Sequence, residues 1–173
     1  NQGETHQYYP VIYRNTTWVK QPKSPEQGYH FTADMTDEAI AWTRNVRAAD
    51  PDKPWFNYFS TSGVHAPHHA PKDWLAKFTG QFDHGWDKQR ELTHARQLAM
   101  GVIPAGTKLT PRPAEIPAWE DQKPEAQKVY SRLMENYAAY MAYTDHEVGR
   151  LIDSLQTSGE LDNTLVMYVV GDN

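Results

Sequence analysis

Two clusters of side chains have types and spacing that could do chemistry. Val64-His65-Ala66-Pro67-His68-His69-Ala70-Pro71 puts three imidazoles within five residues, and Gly171-Asp172-Asn173 sets a carboxylate beside a carboxamide. Asp172 and Asn173 supply hard oxygen donors, suited to Ca²⁺ or Mg²⁺ rather than to a soft metal. Gly171 would let the backbone come close. The same triplet is also ordinary turn chemistry, and two oxygen side chains leave a coordination shell to be completed from elsewhere. The imidazoles could in principle hold zinc, but His68 and His69 are adjacent and the prolines forbid a helix. No two of them therefore share a helical face. The reading favoured is that one histidine contacts a substrate while the others lie on the loop surface. An imidazole can hydrogen-bond an anionic oxygen or protonate a leaving group near neutral pH.

Both clusters follow runs that read as strands. Trp55-Phe56-Asn57-Tyr58-Phe59-Ser60 is short, aromatic and bounded by Pro54 and Gly63. Leu165-Val166-Met167-Tyr168-Val169-Val170 is continuously apolar, as in a strand buried on both faces of a parallel sheet. Ligands of open α/β sheets lie beyond the carboxyl ends of the strands. If the two runs are parallel neighbours, His65 faces the same crevice as Asp172 and Asn173.

The remaining elements must hold those strands in place. Thr36-Asp37-Glu38 predicts a helix start, with Thr36 as cap and Ile40, Thr43 and Val46 as its buried stripe, ending at Asp50-Pro51. A strand is expected near Val11-Ile12-Tyr13. Short helices are expected over 72–78 and over 87–100, the second burying Leu92, Ala95, Leu98 and Ala99 and stopping at Gly101. Residues 102–124 form a proline-punctuated excursion, long enough to suggest a lid as readily as a plain insertion. A long helix over about 125–157 follows, with Ala126, Val129, Tyr130, Leu133, Tyr137, Met141, Val148, Ile152 and Leu155 at helical spacing. The order of elements favours an α/β fold with a mixed, mostly parallel central sheet flanked by helices.

Composition narrows the function classes. At 173 residues, 39% hydrophobic and 23% charged, the chain has the make-up of one ordinary globular domain. A net charge of −5 with both signs interspersed argues against a nucleic-acid partner, whose phosphates need a basic patch. No run is apolar for long enough to suggest a membrane span. With no cysteine, disulfides, thiolate metal sites and a cysteine nucleophile are excluded within these residues. Ten Tyr, six Trp and eight His suggest either an aromatic-lined pocket or simply an aromatic core.

The order of short motifs adds a resemblance. Phe59-Ser60 followed by His65-Ala66-Pro67-His68-His69-Ala70-Pro71 resembles the histidine loop of bacterial arylsulfatases, members of the type I sulfatases and the alkaline phosphatase superfamily. Gly159-Glu160-Leu161-Asp162-Asn163-Thr164, an apolar run and then Asp172-Asn173 resemble the metal-ligand segment of that family. Gly3-Glu4-Thr5-His6-Gln7-Tyr8-Tyr9-Pro10 and Gly28-Tyr29-His30 resemble its mid-chain loops. The resemblance implies hydrolysis of a small-molecule sulfate ester. It implies His65 as the catalytic and substrate-contacting histidine, and Asp172 and Asn173 as ligands of a divalent cation, usually Ca²⁺, with Mg²⁺ as the alternative. The family's nucleophile is a hydrated formylglycine made from Cys or Ser in a Cys/Ser-x-Pro-x-Arg motif. These residues hold no such motif, so the formylglycine is expected outside this chain. The chain is accordingly expected to be the central part, 1–173, of a single sulfatase catalytic domain, truncated at both ends and inactive by itself. A phosphonate or phosphate monoester hydrolase of the same superfamily, and a non-catalytic anion- or metal-binding remnant, are the alternatives. A periplasmic or secreted setting is favoured over a cytoplasmic one.

Overall fold

The computed structural model describes residues 5–169, so Asp172 and Asn173 lie outside the described residues. They divide into two compact units, one formed by the stretches up to His69 and from Met141 onward, the other by Ala70–Tyr140.

In the first unit, β1 (Ile12–Arg14) and β2 (Thr17–Val19) form an antiparallel hairpin that pairs Ile12 with Val19, Tyr13 with Trp18 and Arg14 with Thr17. The expected strand near Val11–Tyr13 is thus present, with a partner that the sequence reading did not foresee. Its turn places Asn15 at φ 57, a left-handed conformation that asparagine tolerates better than most side chains. Helix α1 (Phe31–Ala49) begins five residues before the expected Thr36. His30 is the cap, its Nδ1 accepting from the Thr32 amide at 3.2 Å, and the Phe31 amide donates to the Gln7 carbonyl at 2.8 Å. These partners satisfy amides that an isolated helix start would leave open. Thr36 instead lies buried inside the helix with Thr32 and Thr43. The Thr36 and Thr43 hydroxyls donate to the carbonyls four residues back, at 3.1 and 2.9 Å, which lets a threonine face be buried. Trp42 remains exposed. The helix ends at Asp50 as Pro51 requires.

The two runs read as strands are not hydrogen-bonded into a sheet. Among the described residues the β1–β2 hairpin is the sheet present, and the mostly parallel central sheet is not seen. Segments 54–61 and 163–169 instead line one open groove of about 1000 Å³, together with Thr144, Leu151 and Leu155. Their apolar side chains face outward, with Phe56 78%, Tyr58 81%, Leu165 85% and Val169 86% exposed.

The second unit contains α2 (Lys72–Ala76), capped by Lys77 before the expected Gly80, and α3 (Gly85–Ala99), followed by Gly101 at positive φ. The face expected to be buried on α3 is largely exposed, Leu92 included, and only Leu98 of that set is half-buried. Its polar face is used instead, because the 102–123 excursion binds it mainly through hydrogen bonds, with an aromatic contact at Trp119. Arg90 donates to the Thr110 carbonyl at 3.0 Å and His94 Nε2 meets the Thr107 carbonyl at 2.9 Å. Asp87 accepts from the Trp119 amide and pairs with Arg112, both at 2.9 Å. Trp119 packs edge-on against Trp86 at 4.8 Å. A Cβ on Gly85 would lie 2.1 Å from the Trp119 ring, so this position needs glycine on steric grounds as well as for its φ of 75. The excursion is pinned along its length, which counts against a freely moving lid.

Helix α4 (Pro124–Thr157) has nearly the expected bounds, with proline at its first position. Of the expected face Leu155 is buried and Ala126, Tyr137, Val148 and Ile152 are half-buried, but most of the buried positions lie on another face. Ser131, Glu135, Ala139, Tyr143 and Glu147 recur every four residues and are buried, whereas Val129, Leu133 and Met141 are exposed. The buried carboxylates carry their own partners: Glu135 accepts from Arg132 at 2.8 Å, and Glu147 from Arg150 at 2.6 Å. Polar residues on the buried face are what an apolar-periodicity reading misses. No helix among the described residues is long and apolar enough to cross a membrane.

Candidate functional site

The first unit gathers imidazoles and phenols around a single buried glutamine. Gln7 is fully buried. Its Nε2 donates to Ser62 Oγ at 2.8 Å, and its Oε1 accepts from Thr32 Oγ1 at 3.0 Å. Its amide donates to His69 Nδ1 at 3.3 Å. One side chain thereby ties the N-terminal segment, the start of α1 and the histidine loop together. His30 is nearly as buried, and its Nε2 meets the His69 carbonyl at 2.9 Å. A carbonyl only accepts, so His30 carries its proton on Nε2, consistent with Nδ1 accepting at the helix cap. Burial pushes the His30 pKa down to about 4, the bond to the His69 carbonyl opposing it in part. Tyr8 stands edge-on to His30 at 5.2 Å and Tyr143 at 4.7 Å on centroids. Tyr143 is held well above the usual phenol range by burial first and then by the charge of its hydrogen-bonding partner Glu147.

His65 occupies a different setting. It is exposed, in a turn closed by its amide donating to the Ser62 carbonyl at 2.9 Å. Its Nδ1 lies 2.7 Å from the Ala66 carbonyl, which assigns the proton of the neutral ring to Nδ1 and leaves Nε2 as the outward lone pair. His65 is therefore oriented to accept from a donor, and once protonated to return a proton. The loop on either side is tightly built: a Cβ on Gly63 would lie 2.1 Å from Thr144 Oγ1. His68 and His69, read as loop-surface residues, are half-buried instead.

A profile described as Sulfatase matches residues 1–173, the full span of the chain. The chain belongs to the sulfatase family. An arylsulfatase of Klebsiella aerogenes is 32% identical over 136 residues, covering 78% of this chain and 29% of that protein. An uncharacterized sulfatase of Schizosaccharomyces pombe is 27% identical over 168 residues, covering 95% of this chain and 28% of that protein. An arylsulfatase of Clostridium perfringens is 23% identical over 161 residues, covering 88% of this chain and 28% of that protein. This sulfatase chain thus spans less than a third of the length of these curated relatives.

Of the sulfatase chain's three expected site residues, His65 is described, and Asp172 and Asn173 lie outside the described residues. Among the described residues no group of three or more His, Asp or Glu side chains is arranged to hold a metal ion. Sequence reading passed over His6, Gln7 and His30 as chemistry-bearing residues and favoured a loop-surface place for His69. The available signal was the density of polar and aromatic side chains in Thr5-His6-Gln7-Tyr8-Tyr9 and in Gly28-Tyr29-His30. Only the fold brings those two segments to the histidine loop.

Proposed function

We propose that this chain is the central portion of the catalytic domain of a sulfuric ester hydrolase acting on small sulfate esters. The observation that carries this reading is the sulfatase-family match across residues 1–173. Two relatives named arylsulfatase support it. In this reading His65, with its ring protonated, contacts the sulfate ester and gives the proton on its outward Nε2 to the departing alcohol or phenol, Nδ1 remaining on the Ala66 carbonyl. Asp172 and Asn173 offer two hard oxygen donors, a chemistry that suits Ca²⁺ or Mg²⁺, and would hold the cation with carboxylates from polypeptide beyond these residues. The cation, when bound, neutralises charge on the sulfuryl oxygens. The nucleophile is a formylglycine, also outside this chain.

The exposed apolar segments around Phe56, Tyr58, Leu165 and Val169 fit the same proposal. They are strands of a mostly parallel sheet whose remaining members belong to the rest of that domain, and which would otherwise present edges prone to association.

The test is the intact mass of the protein from its source, with peptide mapping for an aldehyde at a Cys/Ser-x-Pro-x-Arg site and parallel rates on 4-nitrophenyl sulfate and 4-nitrophenyl phosphate. A mass well above 19.9 kDa, an aldehyde and a faster sulfate rate are expected. A faster phosphate rate without the aldehyde would move the reading to a phosphate monoester hydrolase. Hydrolysis of neither ester would overturn it.

A further inference from the structure

His6 and His69 stand side by side with ring centroids 4.2 Å apart, and both have Nδ1 occupied by backbone amides. Tyr8 and Tyr9 donate to His6 Nδ1 at 3.1 and 3.2 Å, and Gln7 donates to His69 Nδ1 at 3.3 Å. A nitrogen that accepts from an N–H carries no proton, so each neutral ring holds its proton on Nε2. The pair is the reverse of His65: two N–H donors rather than a lone pair. No described residue accepts from either Nε2. A metal ion would have to displace those protons, whereas an anionic oxygen would simply accept from them.

We propose that His6 and His69 form a donor pair that takes an anionic oxygen, a carboxylate or a second sulfate, on the part of the substrate remote from the scissile ester. The proposal rests on the sulfatase reading and deepens it. His69 is four positions after His65, so their Cα atoms lie within about 14 Å, close enough for one small ester to reach both. The pair is preorganised. Gln7 is buried between Ser62 and Thr32, and the His69 carbonyl is held by His30. Donors fixed in advance by such support lose little freedom when a ligand arrives.

The electrostatic surroundings agree. The imidazoles of His6 and His68 lower the His69 pKa after burial does, and no carboxylate of a described residue is among the groups acting on it. Around the pair lie Tyr8 and Tyr9 from the N-terminal segment and His30 from the start of α1. Those groups bring no negative charge to compete with a ligand.

Asparagine separates the two functions of each ring, because its Oδ1 can stand in for Nδ1 while nothing replaces the Nε2 donor. In the full-length enzyme, the double variant His6→Asn, His69→Asn is expected to lose at least tenfold in kcat/KM on 4-carboxyphenyl sulfate. Its kcat/KM on 4-nitrophenyl sulfate, which carries no second anionic group, should stay within twofold. Glutamine at both positions restores a donor and should recover part of the loss. Equal losses on both esters, or no loss on the carboxylated one, would overturn the donor pair. If the wild-type enzyme hydrolyses neither ester, the sulfatase reading fails, and benzoate becomes the probe. Benzoate-dependent shifts of the His6 and His69 ring resonances, absent in the double variant, would still support the subsite. No such shift would overturn it.

Discussion

The knot around Gln7 and the groove lined by residues 54–61 and 163–169 belong to one compact unit but stand in opposite conditions. In the knot, polar groups are buried and each finds its partner within the chain: Gln7 with Ser62 and Thr32, His30 with Thr32 and His69. In the groove, apolar side chains are exposed, Phe56, Tyr58 and Val169 among them. Apolar surface of this extent in water is unusual for a finished domain face and marks a surface built to be covered. A chain spanning less than a third of its relatives' length need not satisfy both regions alike. The knot is self-sufficient because its bonds are short-range and directional. The groove leaves its apolar side chains without such partners among the described residues.

The comparison is broken most sharply by removing the knot's centre. Gln7→Leu keeps bulk but strips Ser62 Oγ of its donor and Thr32 Oγ1 of its acceptor, both inside the protein. An unsatisfied buried polar group costs about 1–3 kcal/mol, so a loss of about 3 kcal/mol is expected in chemical denaturation. Phe56→Ser in the same 173-residue chain should change stability by less than about 0.5 kcal/mol, since that ring is already in water. Comparable effects from the two changes would mean that the regions have been misassigned.

Acid should loosen the knot through His30. Its pKa falls from an ordinary 6.5 to about 4 in the folded protein, burial being the main cause. The unfolded chain therefore binds more protons between those two values, and stability rises with pH across that window. The contribution is fully present above pH 6.5, declines as pH falls toward 4, and amounts to about 3 kcal/mol. His30→Asn keeps an oxygen to accept from the Thr32 amide and does not titrate. Its plot of urea midpoint against pH should be flatter between pH 4 and 6.5. An unchanged slope would place the acid sensitivity elsewhere.

How far the sequence announced these two regions follows from what each is made of. The helix ends at Asp50 and Gly101 were legible because proline and glycine act locally. The apolar runs 55–60 and 165–170 read as strands by composition, but the described residues of neither are paired into a sheet, because a ladder needs a second segment and none of the described residues supplies it. The knot was hidden for another reason. His30 caps α1 and Thr36 sits within it only because Gln7, far away in sequence, accepts from Phe31. On α4, apolar spacing pointed to Val129 and Leu133, whereas the face that is buried carries Glu135 and Glu147 with arginine partners. Buried polar residues look like surface to any reading by hydropathy. His65 was found from its loop, while the contrast between its tautomer and those of His6 and His69 exists only in the folded arrangement.

The groove offers a test that sharpens the contrast. Tyr58→Lys and Val169→Lys should leave the stability of the 173-residue chain within about 0.5 kcal/mol and reduce its self-association, read by sedimentation. If the proposed sheet covers the groove in the full-length protein, the same changes should cost about 3 kcal/mol there, because a charge would be forced among packed strands. Equal and small effects in both would mean that the groove stays open in the whole protein, and the proposed sheet would have to be given up.

The smallest expected effect belongs to Thr144, which lies where the two regions meet. Its side chain lines the groove and abuts Gly63 at the root of the histidine loop. The Oγ1 atom is buried with no hydrogen-bond partner among the described residues. A hydroxyl in that condition carries a desolvation cost without a compensating bond, and replacing it with a methyl removes the cost. Thr144→Val in the 173-residue chain should therefore be neutral or stabilising by up to about 1 kcal/mol, where a satisfied threonine would lose about that amount. In the full-length enzyme the sign becomes informative. If a strand covering the groove brings an acceptor or donor to Oγ1, valine should cost about 1 kcal/mol there while costing nothing here. If valine is neutral in both, the hydroxyl is kept for its fit against Gly63, and the covering strand meets the groove through apolar side chains alone.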